Sequence, residues 1–243
     1  MNPPIIVPAR FQSSRLPGKP LVDLCGVPMI VRTCRQCLKA VPPDTLWVAT
    51  DDERIRQVCL QYGLQVLMTP DCLTGTDRVA AAADMLHART CISVQGDEPV
   101  FNPADLVKLI QASVALRDRV LNGFCPIEDE QMFRNPSIPK MVMRPRPDNR
   151  LLYASRAPIP TSKKLDFSKA WRQVCLYAFP YGALQRFTAS AKTPMENIED
   201  IEILRFLELG IDVHMVEMSA DSVAVDNQED VAKVERIIRE RGL

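Results

Sequence analysis

The chain has 243 residues, thirty of them basic and thirty acidic, with 47% hydrophobic and 25% charged side chains. That balance argues against a globally basic binder of nucleic acid or membrane surface, and the length suffices for a sizeable core in one large or two small domains. No stretch approaches the roughly 20 apolar residues of a membrane span. The opening apolar run, Ile5-Ile6-Val7, stops at Pro8 without a secretory signal pattern, so a cytoplasmic location is expected.

The predicted elements alternate. Residues 3–9 read as a buried strand and 27–40 have helical spacing. Residues 45–50, "TLWVAT", form a second apolar strand, followed by a charged helix over 52–62 and a short strand over 65–68. A helix over 76–88 carries the small-residue run "VAAAA"; a strand, "CISVQ", covers 91–95 and a helix 105–116. The apolar runs alternate with helices rather than with polar residues, the pattern of a parallel sheet covered on both faces. After about residue 120 the texture changes. Strands are expected over 120–127, 140–146 and 172–179, with prolines clustered from 136 to 160, then a helix over 195–209, a strand over 213–218 and a closing helix over 229–241. The expectation is one α/β domain over 1–243, mostly parallel, with a β-rich inserted lobe at about 130–190.

Eight cysteines stand at irregular spacings, mostly within apolar segments, as free thiols do in a reducing compartment. Cys34 and Cys37 form a C-x-x-C without a matching second pair, which reads as helix packing rather than a metal or redox site.

Three stretches carry chemistry. In "PARFQSSRLPGKPL", residues 8–21, the cations Arg10, Arg15 and Lys19 follow a buried strand on a loop stiffened by Pro17 and Pro20. Ligands of open α/β sheets bind beyond the carboxyl ends of the strands, so this loop borders the natural crevice. Two forked guanidiniums and one ammonium suit a di- or triphosphate, with Ser13, Ser14 and loop amides as neutral donors. Neither G-x-x-x-x-G-K-[ST] nor G-x-G-x-x-G occurs here, and a dehydrogenase would need the second. In "VQGDEPVF", residues 94–101, Gly96 admits a close backbone approach and Asp97 stands where a carboxylate could hold Mg²⁺; Glu98 could cap the next turn. In "SVAVDNQEDV", residues 222–231, Asp226 ends an apolar run and reads either as a helix cap or as a second metal carboxylate. His87 and His214 fall in a predicted helix and strand and read as structural.

The ordered set "IIVPARFQSSRLPGKPL", "VATDDERI", "TGTDRVA", "VQGDEP", "LYASRAPIP" and "VAVDNQEDV" resembles the 3-deoxy-manno-octulosonate (Kdo) cytidylyltransferases over nearly the whole chain. The resemblance implies a Rossmann-like nucleotidyltransferase domain with a β-rich dimerisation lobe. It also implies an enzyme joining CTP to an acidic eight-carbon sugar for bacterial lipopolysaccharide or capsule, releasing pyrophosphate. In that reading Arg10, Arg15 and Lys19 hold the triphosphate and, with Asp97, act in catalysis. Ala9, Ser14, Thr74, Gly75, Arg78 and Gln95 border the nucleotide. Gln95, Arg156, Gln173, Tyr177 and Glu202 face the sugar, and Asp97 and Asp226 hold Mg²⁺. The anomeric hydroxyl would attack the α-phosphorus directly, without a covalent intermediate or a histidine base.

The sequence departs from the family pattern at the sugar end. Gln173 stands where the family commonly has histidine, and Ile203 where it has glutamine. A site built to bond a hydroxyl discriminates strongly, so an amino-Kdo or a sialic-acid-like nonulosonate stays an alternative acceptor. A non-catalytic nucleotide-binding module is a remote one.

Overall fold

The computed structural model describes residues 3–13, 15–144 and 148–243. Strand β1 (Ile5–Ala9) leads through a 3₁₀ turn at Lys19–Leu21 into a small hairpin, β2 (Asp23–Leu24) with β3 (Val27–Pro28). Next come α1 (Met29–Leu38), β4 (Leu46–Thr50), α2 (Glu53–Gln61), β5 (Gln65–Met68), α3 (Gly75–Met85), β6 (Thr90–Val94) and α4 (Pro103–Ala115). The second half holds β7 (Val120–Pro126), α5 (Glu130–Arg134), β8 (Lys140–Met143), β9 (Leu151–Ser155) and β10 (Trp171–Pro180). It closes with α6 (Tyr181–Thr188), α7 (Pro194–Glu199), α8 (Ile203–Glu208), β11 (Val213–Glu217) and α9 (Gln228–Arg241).

The sheet runs β11-β7-β10-β6-β1-β4-β5. Strands β6, β1, β4 and β5 pair in parallel, as do β11 and β7, while β10 is antiparallel to both its neighbours. Six of the seven strands therefore point one way, as the run-and-helix alternation requires. Alternation within β1 divides the core. Ile5 and Val7 pack with α1 and α4 on one face, and Ile6 packs with Ala49, Val79, Phe179 and Phe206 on the other. Local chemistry starts the helices: Asp52, Thr74 and Asn102 each accept a backbone N–H at the head of α2, α3 and α4.

Four expectations change. The helix over 195–209 is two helices, because Asp200 takes the left-handed conformation (φ 50°) and ends α7. The lobe at 130–190 is less separate than expected: β8 and β9 form a hairpin beside β10, but β10 itself lies inside the central sheet. Strand β9 and helices α5 and α6 are additional. Strand β8 ends at Met143, short of the expected 146, and residues 145–147 lie outside the described residues. Among the described residues, no helix is long and apolar enough to cross a membrane.

The C-x-x-C reading holds. Cys34 and Cys37 are fully buried on α1, and burial pushes both thiols far up the pH scale, so they stay protonated. His214 is wedged between Arg119 (2.6 Å) and the Asp148 carbonyl (3.0 Å) on β11. His87 takes a positive φ of 49° just past the end of α3.

Candidate active site

The carboxyl ends of β1 and β6 open into a crevice made of two adjoining hollows of about 430 and 540 Å³. Arg10, Arg15, Gln95, Asp97 and Asp226 line both. The loop after β1 is shaped by its own residues. Gly18 sits at φ +66° with its N–H on the Phe11 carbonyl (3.2 Å), and a Cβ there would meet the Phe11 ring at 3.2 Å. Only glycine meets both demands readily. The Arg54 guanidinium stacks on the other partner of that contact, 3.3 Å from the Phe11 ring centre.

The fold brings Arg15, Lys19, Asp97 and Asp226 together. The Lys19 ammonium lies 2.5 Å from Asp97 Oδ2 and 3.0 Å from Asp226 Oδ1, and Arg15 reaches Asp226 at 3.3 Å. Burial by itself would lower the Lys19 pKa, but Asp97 and Asp226 outweigh it and hold the ammonium above its ordinary value. The ambiguity at Asp226 resolves in the next residue. Asn227 caps α9 with Asp230 completing the capping box, so the Asp226 carboxylate is left to face the crevice.

Two neighbours of Asp97 behave differently from expectation. Gly96 makes a close approach to the protein itself: a Cβ would stand 3.0 Å from Ile30 and 3.1 Å from the Pro8 carbonyl. Glu98 caps no turn. It is buried, accepts from the Cys175 N–H at 3.4 Å and from the Ser222 hydroxyl, and faces Arg172. Burial first, and then the Asp97 charge, raise its pKa.

Of the residues expected at the nucleotide, Ala9, Thr74, Gly75 and Arg78 line the smaller hollow together with Lys19. Arg78 is almost wholly buried and bonds Asp51 (2.7 Å) and Thr69 (2.6 Å), so it shapes the wall more than it offers a free charge. Ser14 lies outside the described residues. Of the residues expected at the sugar, Gln173 and Tyr177 line the larger hollow, and Arg156 and Glu202 line both. Arg156 was expected to meet the sugar carboxylate. Its guanidinium donates to the carbonyls of Glu199 (2.5 Å), Pro136 (2.9 Å) and Asp200 (2.9 Å) and lies 3.7 Å from the Asp200 carboxylate, so it lines the crevice already well engaged. Glu202 accepts the backbone N–H groups of Gly75 (3.2 Å) and Thr76 (2.8 Å), at the positive end of α3. Burial drives the Tyr177 phenol well above its ordinary pKa, so it is a neutral donor. Ile203 opens α8 with its side chain buried in the core and does not line the crevice.

Sequence reasoning missed the residues that hold this arrangement. Arg172 on β10 donates to the carbonyls of Ala220 (3.1 Å) and Ser222 (2.9 Å) and so ties down the segment leading to Asp226. Asp105 on α4 holds Ser219 of the same segment by three bonds. The one available signal was a charged residue inside an apolar run, as at Arg172 in "RQVCLYAF".

The strand ends of a nearly parallel sheet thus gather three cations and two carboxylates in an open crevice, an arrangement suited to a polyphosphate. The chain belongs to the cytidylyltransferase family, whose model matches residues 4–216. It is 38% identical to a 3-deoxy-manno-octulosonate cytidylyltransferase of Chlorobaculum tepidum over 99% of both chains. It is 33% identical to one from Escherichia coli, over 96% of this chain and 95% of the other. Among solved structures it is similar to a CMP:2-keto-3-deoxy-manno-octonic acid synthetase complexed with CTP, with a TM-score of 0.89, 32% identity, and coverage of 99% of this chain and 100% of that one.

Proposed function

We propose that the protein transfers CMP from CTP to 3-deoxy-manno-octulosonate, forming CMP-Kdo and pyrophosphate for lipopolysaccharide or capsule synthesis. The observation that carries this reading is the Lys19–Asp97–Asp226 cluster, seated in the crevice and drawn from segments 78 and 207 residues apart. Arg10, Arg15 and Lys19 bind the triphosphate, and the rim from Thr74 to Arg78 borders the base. Gln95, Gln173 and Tyr177 orient the sugar so that its anomeric oxygen faces the α-phosphorus. Phosphoryl transfer of this kind is chiefly positioning and charge neutralisation. The Arg15 and Lys19 cations meet the charge that gathers on the departing pyrophosphate.

The two aspartates also fit Mg²⁺. That ion uses one or two carboxylates together with substrate phosphates, and here a cation, the Lys19 ammonium, already rests against both. When bound, Mg²⁺ neutralises phosphate charge and acidifies the attacking hydroxyl. The reading extends to a cytoplasmic enzyme acting as a homodimer through the β8–β9 side. Pyrophosphate release with CTP, Mg²⁺ and Kdo tests the activity, and silence with Kdo refutes the assignment. Asp97→Asn should lower turnover by about two orders of magnitude or more while the protein stays folded by circular dichroism. Near-normal turnover by that variant would remove Asp97 from the mechanism.

A further inference from the structure

Strand β10 carries an irregularity at the crevice wall. Its register against β7 jumps between Val174, opposite Gly123, and Tyr177, opposite Asn122. Such a bulge breaks the ladder and re-aims side chains, and bulges recur beside active sites. Asn122 fills the break. It is fully buried, and its Nδ2 donates to the carbonyls of Val174 (3.0 Å) and Leu176 (3.1 Å).

That placement fixes two amides in succession. A backbone carbonyl only accepts, so Asn122 must turn its NH₂ to the bulge and its Oδ1 away from it. Oδ1 accepts from Gln173 Nε2 at 2.9 Å. Gln173 therefore cannot flip, because its own oxygen would then face the Asn122 oxygen. Its Nε2 points inward and its Oε1 remains. Among the described residues no donor reaches that oxygen, it is not sealed from solvent, and Gln173 lines the larger hollow.

We infer that Asn122 is a positioning residue that locks Gln173 as a one-sided acceptor, so that the sugar pocket demands a hydroxyl donor at this point. The inference rests on the proposed sugar-activating function. It assigns Gln173 a polarity that no imidazole at this position would have by necessity, since a histidine ring can donate or accept. It also gives the buried asparagine of an apolar strand a structural partner, since its amide donates to two carbonyls of the bulge.

Steady-state kinetics on the whole enzyme test this. Gln173→Met, of similar length but without the acceptor, should raise the KM for Kdo about three- to tenfold with the KM for CTP unchanged. Asn122→Ala should do the same by freeing the Gln173 amide, and the double variant should be no worse than Asn122→Ala alone. Independent multiplication of the two effects, an equal change in the KM for CTP, or no change from Gln173→Met would each overturn the inference. Because Asn122→Ala also removes the donors to the bulge, a second readout uses the wild type without substrate. The Gln173 side-chain amide protons, followed by NMR, should exchange slowly with solvent; free exchange refutes the lock. Wild-type silence with Kdo would instead refute the functional assignment, with the amide measurement still deciding the orientation.

Discussion

Replacing Ser222 by alanine isolates the tie between the buried Glu98 carboxylate and the segment that delivers Asp226. The Ser222 hydroxyl is almost fully buried and donates to Glu98 Oε2, while the Cys175 N–H serves Oε1 at 3.4 Å. Losing a hydrogen bond to a charged group costs about 1.5–3 kcal/mol. Arg172 remains close enough to soften the loss, which argues for the lower half, about 2 kcal/mol. For a chain of this size that lowers the melting temperature by about 4–8 °C. The variant should also need more Mg²⁺ for half-maximal rate, because Asp226 would be less firmly placed opposite Asp97. Differential scanning calorimetry with a Mg²⁺ titration of pyrophosphate release reads both effects. A melting temperature within 1 °C of wild type would show that the Glu98–Ser222 contact contributes nothing, and an unchanged Mg²⁺ requirement would sever it from the site.

Other outcomes follow from the same geometry. Arg205→Met strands the buried Glu196, which now accepts two 2.6 Å bonds from that guanidinium; about 3–5 kcal/mol should be lost, visible as a fall of at least about 6 °C on melting. Lys19 has its folded-state pKa above 10.5, so the stability it adds is whole below pH 10.5 and disappears as pH climbs through the raised value. Urea midpoints should therefore fall more steeply above pH 10.5 for wild type than for Lys19→Met, and parallel curves would refute the coupling. Cys72 lines the smaller hollow and is partly exposed, whereas Cys34, Cys37, Cys59, Cys91 and Cys125 are buried. A thiol reagent at pH 8 should modify Cys72 in the native protein, CTP should slow it, and those five should react only on unfolding. Unhindered labelling in saturating CTP would place the nucleotide elsewhere.

The parts of this molecule that were legible before its structure are those written locally. Period and punctuation locate β1, β4, β6 and α4 to within a residue or two, because apolar runs and capping residues act over a few positions. The cations of the first loop were legible for the same reason, as proline and glycine dictate its turns. The boundary at Asp200 was not, since an aspartate adopting positive φ carries no local mark comparable to glycine's. The identity of β10 as an inner strand was also hidden, because nothing in "RQVCLYAF" says that it inserts between β6 and β7. Partnerships across the chain were the least legible. Arg156 looks like a free cation until three carbonyls surround it, and Ile203 looks like a lost polar contact until it proves to be core. Asp226 could be read either way from its neighbours, and only Asn227 taking over the cap decided it.

The pairing of Lys19 with Asp226 bears on how the protein is made. The two residues lie 207 positions apart, and β10 and the segment after β11, both made late, complete walls begun by β1 and β6. A nascent chain can assemble the β1-β4-β5 half while the crevice still lacks its second carboxylate and the whole β10 side. Contacts this distant in sequence slow folding. They also leave the site incomplete until synthesis nears its end, because a chain that stops before residue 226 lacks the second carboxylate of the Lys19 cluster.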